Sequence, residues 1–330
     1  MRKILNRLIN HENISSEEAR NVLINISKGQ YNQSQIASFL TVFMMRSITL
    51  EELKGFRDAL LELCIRIDLS NFNTIDLCGT GGDGKDTFNI STISSFVTAG
   101  AGVKVAKHGN YGVSSASGSS NVMEALGIHF SKKADFLKYA LDQASICVLH
   151  APLFHPAMKH VAPIRKELGV KTFFNMLGPM VNPSFPQNQM VGVFNLELQR
   201  LYGYLYQNTD KKYSIVHALD GYDEISLTGK TKIISNNAET IIEPSDLKVE
   251  QLEQADIFGG ATVKEAAKIF KNIINNKGTE AQNNVVFANA GLAIATVKNI
   301  SHQEGFELAK ESLESGKAKA SLERLIQLSK

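Results

Sequence analysis

Apolar residues follow two different rhythms along this chain. Over the first seventy residues they recur at helical spacing. Ser15-Ser16-Glu17-Glu18 opens an amphipathic run to about Ser27, with an acidic first turn suited to the helix dipole. Gln33 to Arg46 and Thr49 to Cys64 predict two further helices, and no strand pattern interrupts them. From Thr74 onward, short β-branched runs alternate with helical windows: Thr74–Cys78, Val103–Ala106, Ile146–Leu149, Met190–Phe194 and Ser214–Ala218. That alternation predicts a largely parallel sheet covered by helices. Every proline except Pro244 falls between Pro152 and Pro186, which marks a long irregular crossing. Gln251 to Gly260 reads as a polar connection. Helices are then expected at Val263–Asn275, Ala281–Thr296, His302–Ser315 and Ala318–Leu328. The fold class that follows is α/β, with a small all-helical domain plus a large α/β domain whose mostly parallel central sheet is flanked by helices.

Composition narrows the function without naming it. A chain of 330 residues suffices for one large domain and one small one. Its formal charge of +2 comes without a basic run, which argues against a nucleic-acid face. Cys64, Cys78 and Cys147 are isolated and set in apolar surroundings, so they read as core thiols of a reducing compartment. The sequence shows no secretory leader and no apolar stretch of membrane-spanning length, so a soluble, cytoplasmic protein is expected.

Chemistry concentrates where the strand pattern meets glycine. Residues 76 to 92 read Asp-Leu-Cys-Gly-Thr-Gly-Gly-Asp-Gly-Lys-Asp-Thr-Phe-Asn-Ile-Ser-Thr. Gly79, Gly81, Gly82 and Gly84 let the backbone turn tightly and present bare amides. Asn89, Ser91 and Thr92 open a helix whose first amides and dipole favour an anion. Walker A is excluded because Asp86 follows Lys85, and a dinucleotide fingerprint would place acidic Asp83 inside its phosphate loop. A ligand carrying hydroxyls or metal ions as well as phosphate fits better. A second loop, Lys107 to Ser120, adds a cation, more glycines and several serine hydroxyls after the next strand. Loops after neighbouring strands converge at the carboxyl edge of a sheet, where open α/β folds bind ligands.

Asp223-Glu224 follows Gly221-Tyr222 after the run Ser214–Ala218. Such a pair is either a solvated turn or, beside phosphate loops, a Mg²⁺ site. Arg165 is either a surface cation of its helix or a fork for a planar carboxylate. His155 and His160 do not share a helix face, and most histidines read as structural, with His108 excepted by its place in the second loop. The cluster Phe39, Leu40, Val42, Phe43, Met44 and Met45 is core or interface.

Several blocks together resemble the anthranilate phosphoribosyltransferase family: Gly79-Thr80-Gly81-Gly82-Asp83, Asn89-Ile90-Ser91-Thr92, Lys107-His108-Gly109-Asn110, His155-Pro156-Ala157-Met158, Arg165-Lys166-Glu167-Leu168-Gly169, Asn175-Met176-Leu177-Gly178-Pro179 and Asp223-Glu224. The likeness runs in order through nearly the whole chain. It implies transfer of the ribosyl 5-phosphate group from phosphoribosyl diphosphate (PRPP) to the amine of anthranilate, in tryptophan biosynthesis. It implies a helical domain 1–70 joined by a return segment at about 156–186, an α/β PRPP-binding domain 71–330, and a homodimer paired through the small domain. PRPP is expected on Gly79, Gly82, Asp83, Thr87, Asn89, Ile90, Ser91, Thr92, Lys107, His108, Gly109, Asn110, Tyr111, Gly112, Val113, Ser114, Ser115 and Ser119. Anthranilate is expected on Gly79, Asn110, Arg165, Gly178 and Pro179, and Mg²⁺ on Ser91, Asp223 and Glu224. No residue is singled out as a general acid or base. One departure stands out: many members carry arginine where this chain has Tyr111.

Two other functions fit related folds. A pyrimidine nucleoside phosphorylase would use similar glycine loops on inorganic phosphate, typically with a Lys-His-Ser-Thr-Gly-Gly run where Leu77-Cys78-Gly79 stands here. A non-catalytic homologue that binds nucleic acid would show a basic groove and lose the anthranilate contacts.

Overall fold

The protein is described by a computed structural model covering residues 1–112 and 117–330. The chain divides into two compact units, one of Met1–Ile67 with Ala151–Pro183, the other of Asp68–His150 with Ser184–Lys330. The returning stretch therefore lies slightly earlier in sequence than the 156–186 expected.

In the helical unit, three helices start on reciprocal caps. Ser15 caps Ser16–Ser27 with Glu18, Asn32 caps Gln33–Met45 with Gln35, and Thr49 caps Leu50–Leu63 with Glu52. Glu52 also acts beyond its own helix. Fully buried, it accepts from the Ile14 amide at 3.1 Å and pairs with Arg46. Rings tie the return segment to this bundle. Phe173 stacks on Phe56 with centroids 4.4 Å apart and meets Phe43 edge-on at 5.3 Å and Phe39 at 6.1 Å. The helix Gln33–Met45 thus buries Ile36, Phe39, Leu40 and Phe43, while Met44 and Met45 stay exposed.

The α/β unit holds one seven-stranded sheet in the order β3-β2-β1-β4-β5-β6-β7. Its strands are β1 (Ile75–Gly79), β2 (Val105–Gly109), β3 (Ile146–His150), β4 (Asn188–Gly192), β5 (Lys212–Ala218), β6 (Thr231–Ser235) and β7 (Glu239–Ile242). The first five are parallel, and β6 and β7 add antiparallel pairs at one edge. Neither was expected from sequence, and β7 is largely exposed with no apolar alternation to read. The sheet grows from β1 in both directions, so the ends of β1, β2 and β4 surround its switch point, where ligands of open α/β sheets bind. Helices cover the sheet, and Ile90–Gly100 and Glu280–Lys298 are buried along most of their lengths. The stretch expected to be a polar connection, 251–260, is anchored by a short helical turn at Gln254–Ile257. It then bridges the first glycine loop through Thr87 and Phe258. Among the described residues, no helix is long and apolar enough to cross a membrane.

Phe173→Ala should lower stability by about 3–5 kcal/mol, the usual cost of emptying a buried phenylalanine site. Phe173→Leu should cost clearly less. Denaturant unfolding measures both, and an alanine variant as stable as the parent would show that the rings do not hold the return segment.

Candidate active site

The site in the α/β unit begins with two glycines that face each other across the sheet. Gly79 ends β1, Gly192 ends β4, and the two are register partners. A Cβ on Gly192 would lie 1.5 Å from the main-chain oxygen of Asp223, and one on Gly79 would lie 2.3 Å from Asp223 Oδ2. The acidic turn after β5 therefore leans across the end of β4 to reach β1, and only hydrogen at both positions leaves room for it. Gly192 escaped the sequence reading because its role depends on a strand pairing.

Asp223 then joins the first loop. Its Oδ2 accepts the Gly81 amide at 2.6 Å, and its own amide donates to Asp83 Oδ2 at 3.4 Å. The other Asp83 oxygen accepts the Lys85 amide at 3.1 Å, and Gly81, Gly82 and Gly84 take φ of +64°, +78° and +74°. These are left-handed conformations that glycine adopts without strain. Glu224 reaches the start of the helix Ile90–Gly100, where its Oε1 accepts the Ser91 amide at 3.2 Å. The next residue is held from behind. Buried Asn289 accepts the Ile225 amide at 3.0 Å and donates to the Ile225 carbonyl at 2.9 Å.

The first amides of this helix, expected to favour an anion, are engaged. Ser91 gives its N–H to Glu224, Ile90 to the Phe88 carbonyl at 2.6 Å, and Thr92 to the Asn89 carbonyl at 3.1 Å. The Glu224 carboxyl thus takes an amide at the helix start that the sequence suggested for phosphate. Asn89 also donates its side chain to the Ser117 carbonyl at 3.1 Å, linking the two loops. Thr87 is held through the main chain, with Phe88 and Gly259 bonding across to Ile257 and Asp86.

Electrostatics sets this cluster apart from a solvated turn. Asp223 and Glu224 are both buried. Burial, and then the Asp83 charge, push the Asp223 carboxyl up to about 7. Burial and then Asp223 push Glu224 well above the ordinary carboxylate range, with Lys107 pulling the other way. Lys107 was expected in the second loop, but it is a strand residue of β2. It is 1% exposed and donates to the Leu77 carbonyl at 2.7 Å. Burial draws its ammonium below the usual lysine range, while Asp76, Cys78 and Glu224 favour its charge. The cation thus acts from beneath the loops. His108 is likewise a buried strand residue, with its amide on Asp76 Oδ1 at 3.0 Å.

The second loop is tied by side chains. The Asn110 carbonyl accepts from the Ser120 amide at 3.1 Å and from Ser119 Oγ at 3.3 Å, beside Gly109, where a Cβ would meet that hydroxyl at 2.5 Å. Asn121 Oδ1 accepts both the Gly112 and the Gly118 amides, and the Tyr111 hydroxyl donates to Glu124 at 2.8 Å. The expected PRPP contacts Val113, Ser114 and Ser115 lie outside the described residues.

Arg165, Gly178 and Pro179 belong to the helical unit. Arg165 Nη2 donates to Asn175 Oδ1 at 3.2 Å, and the guanidinium lies 5.3 Å from the Phe174 ring centre. Its Nε is buried without a hydrogen-bond partner, and burial lowers the group's proton affinity. Among the described residues of its own unit, no carboxylate forms an ion pair with it. Gly178 opens a helical turn through buried Pro179, and nothing lies within 4 Å of where a Gly178 Cβ would stand.

Residues 71–319 match the glycosyl transferase family, a/b domain, and residues 2–64 match its helical bundle domain. An anthranilate phosphoribosyltransferase of Flavobacterium johnsoniae is 72% identical over the full length of both chains. That of Christiangramia forsetii is 70% identical over 100% of this chain and 99% of its own. The chain belongs to the anthranilate phosphoribosyltransferase family. Solved structures of that family share the fold. The crystal structure of the Thermus thermophilus enzyme matches with a TM-score of 0.90 at 30% identity, covering 98% of each chain. The Saccharomyces cerevisiae enzyme in complex with PRPP and Mg matches at 0.89 and 28% identity, covering 98% of this chain and 96% of its own.

The raised Asp223 carboxyl has a consequence for stability. Its folded value of about 7 lies above the ordinary 3.8, so between those values the folded protein holds a proton that the unfolded chain releases. Without added cations, stability should fall as pH rises through this window. Asp223→Asn should flatten that fall. Denaturant unfolding of both proteins in chelator checks this, and parallel curves would mean that Asp223 is not forced upward.

Proposed function

We propose that this chain transfers the 5-phosphoribosyl group of PRPP to the amine of anthranilate, giving N-(5-phosphoribosyl)anthranilate and diphosphate in tryptophan biosynthesis. Family membership along the whole chain supports this over a nucleoside phosphorylase or a nucleic-acid-binding role. The observation that carries it is the buried pair Asp223 and Glu224, beside half-buried Asp83, between a glycine loop and a helix start.

Burial of Asp223 and Glu224 and repulsion among the three carboxyls make an electrostatic deficit that a cation would relieve. Hard oxygen donors on a turn beside phosphate loops suit Mg²⁺. Asp223, Glu224 and the Ser91 hydroxyl would hold it, and when bound it supplies positive charge to the diphosphate oxygens. The chain's own groups do the rest. The backbone of the first loop and of residues 109 to 112 would face PRPP, and Lys107 would add charge from below. As the C1–O bond to diphosphate breaks and the C1–N bond forms, diphosphate carries away the electron pair and the amine gives up a proton. The aniline nitrogen is already neutral, so the work lies in holding the departing charge and aligning the amine. Arg165 suits the anthranilate carboxylate, since its half-buried guanidinium has an amide partner in place of an acid. Gly178 and Pro179 of the same unit are further proposed anthranilate contacts.

Incubation with PRPP, Mg²⁺ and anthranilate should quench anthranilate fluorescence, and chelator should abolish the turnover. Arg165→Ala should raise the KM for anthranilate about tenfold or more and leave that for PRPP nearly unchanged. No turnover with these substrates overturns the reading. Equal changes in both constants would remove Arg165 from the anthranilate subsite.

The same reading includes a homodimer through the helical unit and a cytoplasmic location. Met45 at 79% and Met44 at 42% exposure, at the end of the helix Gln33–Met45, support an apolar contact with a second copy. Free thiols at Cys64, Cys78 and Cys147 suit a reducing compartment. Light scattering should give the mass of two chains, and Met45→Lys should shift it toward one. A parent protein with the mass of one chain ends the dimer proposal.

A further inference from the structure

Tyr111 is held on two sides by residues that carry no expected ligand contact. Its hydroxyl donates to Glu124 Oε1 at 2.8 Å. Its ring meets His150 edge-on, with centroids 4.8 Å apart and planes at 77°. His150 ends β3 and is 5% exposed. It stacks on Phe130 at 4.4 Å, and its Nδ1 shares a 2.9 Å hydrogen bond with Ser120 Oγ. Ser120, Asn121 and Glu124 all lie on the helix Ser119–Ala125. One short helix and one strand end thus grip both the tyrosine and the amide of Gly112 that follows it.

The phenol proton is therefore committed. Hydrogen bonding to Glu124 is the main reason the Tyr111 hydroxyl keeps its proton beyond the usual tyrosine range. A phenol whose proton is given to a carboxylate has only lone pairs left to offer, and a diphosphate oxygen repels lone pairs.

We infer that Tyr111 is a positioning residue, fixing the backbone of residues 109 to 112 for PRPP through Glu124 and His150, and does not touch the diphosphate with its hydroxyl. The inference rests on the second loop being part of the PRPP site. It gives Glu124 and His150 a share in PRPP affinity. A direct contact would need the Tyr111 hydroxyl alone, so the two arrangements predict different variant patterns.

The test uses the full chain with Tyr111→Phe, Glu124→Ala, their double, His150→Phe and His150→Ala. The two singles should each raise the KM for PRPP about three- to tenfold, because each removes the same hydrogen bond. Neither should much change kcat, and the double should be no worse than the more impaired single. His150→Phe keeps the ring stack but loses the Ser120 hydrogen bond, so it should fall between the parent and His150→Ala, which should resemble Tyr111→Phe. Hydrogen exchange of the peptide spanning residues 109 to 112, in protein without substrate, should quicken in Tyr111→Phe, Glu124→Ala and His150→Ala. A defect in Tyr111→Phe without one in Glu124→Ala, or an additive double, overturns the inference in favour of direct contact. If the parent turns over no PRPP, the functional reading fails. Exchange then still decides the anchor, and unchanged exchange in all three variants defeats it.

Discussion

The candidate site depends on one steric allowance, the missing Cβ atoms of Gly79 and Gly192. Because both strands end in glycine at the same register, the turn after β5 can cross the end of β4 and set Asp223 against the first loop. Every later contact follows from that crossing. Asp223 meets Gly81 and Asp83, and Glu224 meets the start of the helix Ile90–Gly100. A side chain at Gly192 would overlap main-chain atoms, which have no rotamer to move to.

The crossing concentrates negative charge in a dry place. Desolvation and mutual repulsion raise both acids, and buried Lys107 offsets only part of that cost. Asn289 keeps the turn from relaxing by satisfying both main-chain groups of Ile225. Such an arrangement destabilises the protein locally.

The helical unit solves a different problem. Its bundle is too small to bury the Phe39 and Phe43 face alone, so the return segment brings Phe173 across to complete the ring cluster. Capping provides the local order. Glu52 joins local to distant order by capping its own helix while holding Ile14 and Arg46.

The sequence alone was enough to read the two rhythms, because helix and strand periodicity are local properties of side-chain direction. It also showed the glycine loop at 79–84 and the acidic pair at 223–224, since residue type there reports on backbone freedom and charge. It could not show that Lys107 and His108 belong to a strand, because their burial follows from pairing between β2 and β3. Nor could it show that Glu224 occupies the helix start, that Gly192 makes room for Asp223, or that Tyr111 is bound to Glu124 and His150. Each of these joins residues distant in sequence, and only the pairing of strands and packing of helices sets their separation. Local chemistry therefore marked the candidate residues, and the tertiary structure decided which of them face one another.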